Sequence, residues 1–180
     1  MKARDNPYRA ERLEAMRYRF PDGDDMRAVL ARLDRMGGRG AIIGLHGSGK
    51  TTLLRELGEA LRGRGMRVRL HRLTQGARTW PHNWLADIDA NDALLLDSAG
   101  LLSWSRWLSL RWRCRHAGVL VVTAHRRGLL PTLIRCRTSP ALLSELLQDL
   151  GCPQPQSAQV FAAHRGNLHA VFRDLYLHAG

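Results

Sequence analysis

Residues Gly44 to Thr51 read Gly-Leu-His-Gly-Ser-Gly-Lys-Thr. This stretch constrains the fold more than any other because of its flanks. The apolar run Gly40-Ala-Ile-Ile precedes it and has the length of a buried strand. Lys50 to Gly65 follows it, with Leu53, Leu54, Leu57 and Leu61 at helical spacing and Gly63 and Gly65 as stop signals. Gly44, Gly47 and Gly49 let the connecting backbone turn tightly. A strand that enters a helix through such a turn is a βα unit, and such units build parallel sheets.

The rest of the chain continues the alternation. Asp22 to Met36 predicts a helix, with acids in its first turn and apolar positions 26, 29, 30 and 33 on one face. Met66 to Leu73 alternates like a half-exposed strand. Gln75 to Asn91 is expected to be irregular, with a short helix around 83–88. Asp92-Ala-Leu-Leu-Leu-Asp97 and Gly118-Val-Leu-Val-Val-Thr-Ala124 read as buried strands, and the segment 103–116 between them as a helix. Pro131 to Ser139 fits a last edge strand. Pro140 to Leu150 predicts a helix with Ser139 as its cap, and 157–165 and 167–178 two more. The expectation is an α/β fold, a parallel sheet flanked by helices over 1–139, with a short C-terminal helical lid over 140–180.

The glycine loop has a chemistry as well as a shape. Its backbone N–H groups can point at phosphate oxygens, and the following helix adds its positive end. Lys50 then reaches the outer phosphates and the Thr51 hydroxyl ligates Mg²⁺. The expected binding set is Gly44, His46, Gly47, Ser48, Gly49, Lys50, Thr51 and Thr52, with His46 at a position of no obvious role. The alternative is a glycine-rich turn with a coincidental lysine. Asp97, at the end of a buried strand, is the expected second Mg²⁺ group, alongside Thr51. Its alternative role is to cap the next helix. No acid follows Asp97 before Glu145, so nothing obvious activates water. Ser98 and His125 are candidates, and slow turnover or pure binding is expected. The strand ending in Thr123 is expected between the loop strand and the Asp97 strand. Thr123 would then touch the γ-phosphate or the water. Arg126 or Arg127 would neutralise phosphate charge, unless both belong to a solvated loop.

The motifs together resemble AAA+-type ATPases of the small bacterial, STAND-like kind. The resemblance starts at Asn6-Pro7-Tyr8 and runs through Tyr18 to Met36 and the glycine loop. It continues through Leu94 to Asp97 and Val121 to His125, and ends at His164 to Tyr176. It implies a P-loop nucleotide-binding fold, with adenine as the base and ATP and Mg²⁺ as ligands. It also implies a linker helix packed near the adenine. Lys50, Asp97, Thr123 and Arg127 are the implied catalytic set. His169 stands where such lids carry an arginine, with Arg165 or Arg173 as substitutes. A small-molecule kinase, or a nucleic-acid-binding module with a vestigial loop, are the competing readings.

Charge adds a further feature. The net charge is +12, and between Asp97 and Glu145 there are eight arginines and no acid. Nucleic acid, another polyanion, or mere counterions are the candidate partners. Trp104, Trp107, Leu108 and Trp112 fall close to one helical stripe among these arginines. Three readings stand open: tryptophans covering the sheet, a surface for bases or an acidic partner, or a helix at a membrane interface. No run is long enough to span a membrane. The polar first residues and scattered Cys114, Cys136 and Cys152 fit reduced thiols and a cytoplasmic protein, working with a separately encoded protein partner.

Overall fold

The computed structural model describes residues 8, 10–20, 24–75, 83–152 and 156–178. Along the chain these form α1 (Ala10–Ala15), α2 (Met26–Arg35), β1 (Arg39–Gly44), α3 (Lys50–Gly63), β2 (Arg67–Arg72) and β3 (Asp92–Asp97). There follow α4 (Trp104–Arg113), β4 (Val119–Ala124), β5 (Thr132–Cys136), α5 (Pro140–Asp149), α6 (Ser157–Ala163) and α7 (Leu168–His178). A single 3-10 turn, Ala99–Leu101, joins β3 to α4.

The five strands pair in parallel in the order β2-β3-β4-β1-β5. The expected α/β sheet is therefore present, with β4 between β1 and β3 and with β5 at an edge. Every residue of β3 and β4 is buried, so these strands need helices on both faces. Side chains alternate between the two covers. Ile42, Leu95 and Val121 meet α2 and α3 through Val29, Leu33, Leu53 and Leu57. Ala41, Leu94, Leu96, Leu120 and Val122 meet Trp84, Trp107 and Leu110 on the other side.

Helix ends follow local chemistry. α2 begins at Met26, later than expected, because Asp25 is its N-cap and accepts from the Ala28 N–H at 2.7 Å. The acids therefore precede the first turn, and Asp24 pairs with Arg32 at 2.8 Å instead. Residue 22 lies outside the described residues. α5 starts as read, with the Ser139 hydroxyl accepting from the Leu142 N–H at 3.1 Å and Pro140 in the first turn.

One expectation is corrected and one open reading is narrowed. The described part of the segment after β2, residues 83–91, holds turns and no helix. Arg69 captures its carbonyls, donating to Asn83 at 3.1 Å and to Ala86 at 2.5 Å. The rest of the segment, 76–82, lies outside the described residues. The tryptophans of α4 do not all cover the sheet. Trp107, Leu110 and Cys114 form the inward stripe, whereas Trp104 and Trp112 are 64% and 67% exposed. The inward stripe is offset from Trp104, Leu108 and Trp112 by about a quarter-turn or more of helix, so only one of the two can meet the sheet.

The lid helices α5 and α7 bury their own core of Leu143, Leu147, Leu168, Val171 and Phe172. That core also takes in Tyr8, Leu13 and Met16 from the N-terminal segment. Asn6 and Pro7 lie outside the described residues. No helix among the described residues is long and apolar enough to cross a membrane.

Asp92 opens β3 with no exposed surface. It accepts from Arg67 Nη2 and Arg69 Nε, both at 3.0 Å, and from the Asp89 N–H at 2.8 Å. Asp89 and Asp92 thus sit at the strand's amino end, and their work there is structural. Asp92→Ala is expected to lower the unfolding free energy by about 3 kcal/mol in urea denaturation, because two arginines lose a buried partner. A loss below about 1 kcal/mol would show that both arginines re-solvate freely.

Candidate functional site

Parallel strands put all their carboxyl ends on one edge, and ligands of open α/β sheets bind there. A cleft of about 710 Å³ opens at this edge, within the range of small-ligand sites. Its floor is the loop His46–Thr52 with Arg72, Asp97, Thr123 and His125 at strand ends. Its upper wall is apolar, built from Leu13 and Met16 on one side and Leu142, Leu146, Leu168 and Phe172 on the other.

The loop adopts its shape through two left-handed glycines, Gly47 at φ 70° and Gly49 at φ 81°. Close packing adds a second reason for glycine. A Cβ on Gly47 would lie 2.1 Å from Asn167 Oδ1, and one on Gly49 3.2 Å from the Tyr18 ring. Asn167 also accepts from the Ala170 N–H at 3.2 Å, so it caps α7 while touching the loop. The N-termini of α3 and α7 therefore both approach this edge, and each carries a positive end.

Lys50 Nζ donates to the carbonyls of Gly44 at 2.9 Å and Leu45 at 2.6 Å, folded over its own loop. Burial lowers the pKa of its ammonium, an effect that nearby Asp97 opposes. The Ser48 hydroxyl closes the loop onto Leu45 O at 2.8 Å. Asp97 is buried and serves as the hub. Its Oδ2 accepts from Thr51 Oγ1 at 2.9 Å, its Oδ1 accepts from Thr123 Oγ1 at 2.5 Å, and Arg72 Nε lies 3.6 Å away. None of these is a helix-capping bond. Thr51 and Asp97 together present hard oxygen donors of the kind that suit Mg²⁺.

The structure brings together Gly44, His46, Gly47, Ser48, Gly49, Lys50, Thr51, Thr52, Asp97, Thr123 and His125. It leaves Arg126 and Arg127 exposed on the loop after β4, outside the cleft wall. His169, in the first turn of α7, lines the cleft, whereas Arg165 and Arg173 do not. Thr123 spends its hydroxyl hydrogen on Asp97 and accepts from the Ser98 N–H at 2.8 Å, so it orients the carboxylate. His46 has a partner after all: its ring stacks on His125 at 5.3 Å. The helix over 26–35 packs on the far sheet face and does not reach the cleft. On that side the wall comes instead from α1 and the segment that follows it.

Three contributors escaped the sequence. Arg72 reaches Asp97 because β2 pairs with β3 in a register that places the two residues side by side. Tyr18 covers Gly49, anchored by its N–H to Glu56 Oε1 at 2.6 Å, and burial raises its phenol well above the usual range. Asn167 was visible only as part of a lid motif. No protein-family model matches the chain, and no curated protein matches it closely enough to count as a relative.

His125 Nδ1 lies 3.2 Å from the Gly44 carbonyl. A carbonyl only accepts, so Nδ1 carries the proton and Nε2 keeps a lone pair. Burial lowers the His125 pKa, and the Lys50 charge lowers it further. The folded value thus lies below the unfolded one, about 6.5. The unfolded chain then binds more protons, so stability falls as the pH drops through that unfolded value and keeps falling to the folded pKa. His71, lowered by burial, acts in the same sense. The melting temperature is expected to drop between pH 7.5 and 5.5, and to drop less in His125→Gln. Equal drops in the two proteins would remove His125 from this account.

Proposed function

We propose that this protein binds a magnesium nucleoside triphosphate in the cleft and turns it over slowly, using nucleotide state as a switch. The observation that carries this reading is the meeting of Thr51 Oγ1 with the Asp97 carboxylate, at 2.9 Å, beside Lys50 on a loop with left-handed Gly47 and Gly49. A coincidental glycine turn has no reason to bring a buried strand-end carboxylate to the hydroxyl that follows its lysine. The strand order supports the same reading, since the Thr123 strand separates β1 from the Asp97 strand as the P-loop ATPase resemblance implies.

In this reading Lys50 leaves the Gly44 and Leu45 carbonyls to meet the outer phosphates, and the loop N–H groups hold the remaining charge. Thr51 and Asp97 hold Mg²⁺, which supplies charge neutralisation between the outer phosphates. Thr123 keeps Asp97 in place. Arg72 and His169 border the cleft where cationic or hydrogen-bonding groups contact the outer phosphates. The apolar wall of Met16, Leu146 and Phe172 accepts a flat base, and adenine is the base by resemblance. Asp97 is the sole carboxylate among the described residues that line the cleft. It is committed to Thr51 and Thr123, so no acid remains to activate water. Neutral His125, whose Nε2 keeps a lone pair, is a base placed at the cleft for that work. The same shortage disfavours the kinase reading, which needs a carboxylate for an acceptor hydroxyl. A cytoplasmic switch that acts on a separately encoded protein fits slow turnover and three unpaired cysteines.

Titration of the pure protein with a fluorescent ATP analogue, with and without Mg²⁺, tests the reading. Native protein is expected to bind, and Lys50→Ala to bind at least tenfold more weakly, about 1.4 kcal/mol. Asp97→Ala is expected to abolish the difference that Mg²⁺ makes. Turnover is expected at least a hundredfold below the roughly 10 s⁻¹ of a median enzyme. No binding by the native protein would end the nucleotide reading, and brisk turnover would end the slow-switch part of it.

A further inference from the structure

The outward face of α4 is apolar and cationic at once. Trp104, Leu108 and Trp112 lie four residues apart, within an arc of about 80° along some 12 Å of helix. All three are exposed, Leu108 by 47%. Leu101, 51% exposed and three residues before α4 begins, lines the cleft. Helix geometry puts Arg111 just beside the arc, about 20° beyond Trp104. The Arg115 guanidinium stacks over the Trp112 ring at 4.2 Å from its centroid.

The charge along this stretch of the chain is uncompensated among the described residues. Arg19, Arg32, Arg64, Arg67, Arg69 and Arg72 each pair with an aspartate. The eight arginines between Asp97 and Glu145 are all exposed, and none pairs with a described acidic residue. A chain that needs only solubility has no cause to leave large aromatic rings exposed among such arginines.

We propose that this face of α4 binds single-stranded nucleic acid, with Trp104 and Trp112 stacking unpaired bases and Arg111 and Arg115 meeting the phosphates between them. Exposed aromatic rings on a cationic track are the combination such strands recognise, without regard to sequence. A second copy of the chain fits poorly, because a two-fold contact would set these unpaired arginines against themselves. A membrane surface fits poorly too, since three apolar side chains on a ten-residue helix bury little area.

Fluorescence anisotropy of a labelled oligomer of twenty thymidylates, without ATP, tests the proposal, so its failure leaves the nucleotide reading untouched. The native protein is expected to bind, with affinity falling steeply as salt rises. Trp104→Ala with Trp112→Ala should weaken binding at least fivefold at 0.1 M salt, with an unchanged melting temperature because both rings lie outside the core. Arg111→Gln with Arg115→Gln should flatten the slope of log affinity against log salt by about 1.4, two phosphate contacts at roughly 0.7 each. Absent binding, or tryptophan variants that bind like the native protein, would overturn it. Equal affinity for poly-glutamate, tighter binding to vesicles of anionic lipid, or self-association lost in the tryptophan variants would overturn it as well, in favour of another partner.

Discussion

The central strands are buried on both faces, and that burial sets the terms for everything else. β3 carries four apolar residues between two aspartates, and none of the six is exposed. The apolar residues demand helices above and below the sheet. The two carboxylates demand partners, because an unpaired buried charge is too costly to keep. Asp92 finds Arg67 and Arg69 at the amino end, and Asp97 finds Thr51 and Thr123 at the carboxyl end. The first cluster is closed on itself and ties down the edge strand. The second opens into the cleft, where two hydroxyls and the Arg72 guanidinium face the carboxylate.

The cleft is framed by contacts of unequal kind. Its floor is rigid, held by strand ends and by glycines that no other residue can replace without strain. Its roof is a separate apolar core, joined to the loop chiefly through Asn167 and to the N-terminal segment through Tyr8 and Met16. That core is tied to its surroundings as well by Thr138 Oγ1, which donates to the Gly166 carbonyl at 2.9 Å, and by the Arg19–Asp149 ion pair. Leu101 lines the cleft three residues before α4 begins, so the start of that helix lies close along the chain to the cleft.

Much of this was legible beforehand. The βα unit, the buried strands, the place of β4 and the cap of α5 follow from spacing and turn chemistry, which act within a few residues. The start of α2 was read too early because three aspartates crowd its beginning, and only the backbone shows that Asp25 takes the cap. The helix expected within 75–91 was a misreading of polar, turn-rich sequence whose described part is organised by Arg69. The α4 tryptophans stayed open because two stripes, a quarter-turn or more apart, compete for the sheet, and helical periodicity alone does not choose between them.

The amino-acid sequence by itself determined the glycine loop, its lysine and threonine, the strand-end aspartate and the uneven charge, since each is a matter of local spacing or composition. Only the tertiary structure decided that Thr51 meets Asp97, that Arg72 stands beside them, that Asn167 caps the lid against Gly47, and that Trp104 and Trp112 face outward. Those contacts join residues that strand register and helix packing bring together from distant parts of the chain, and neither register nor packing is written in any short segment.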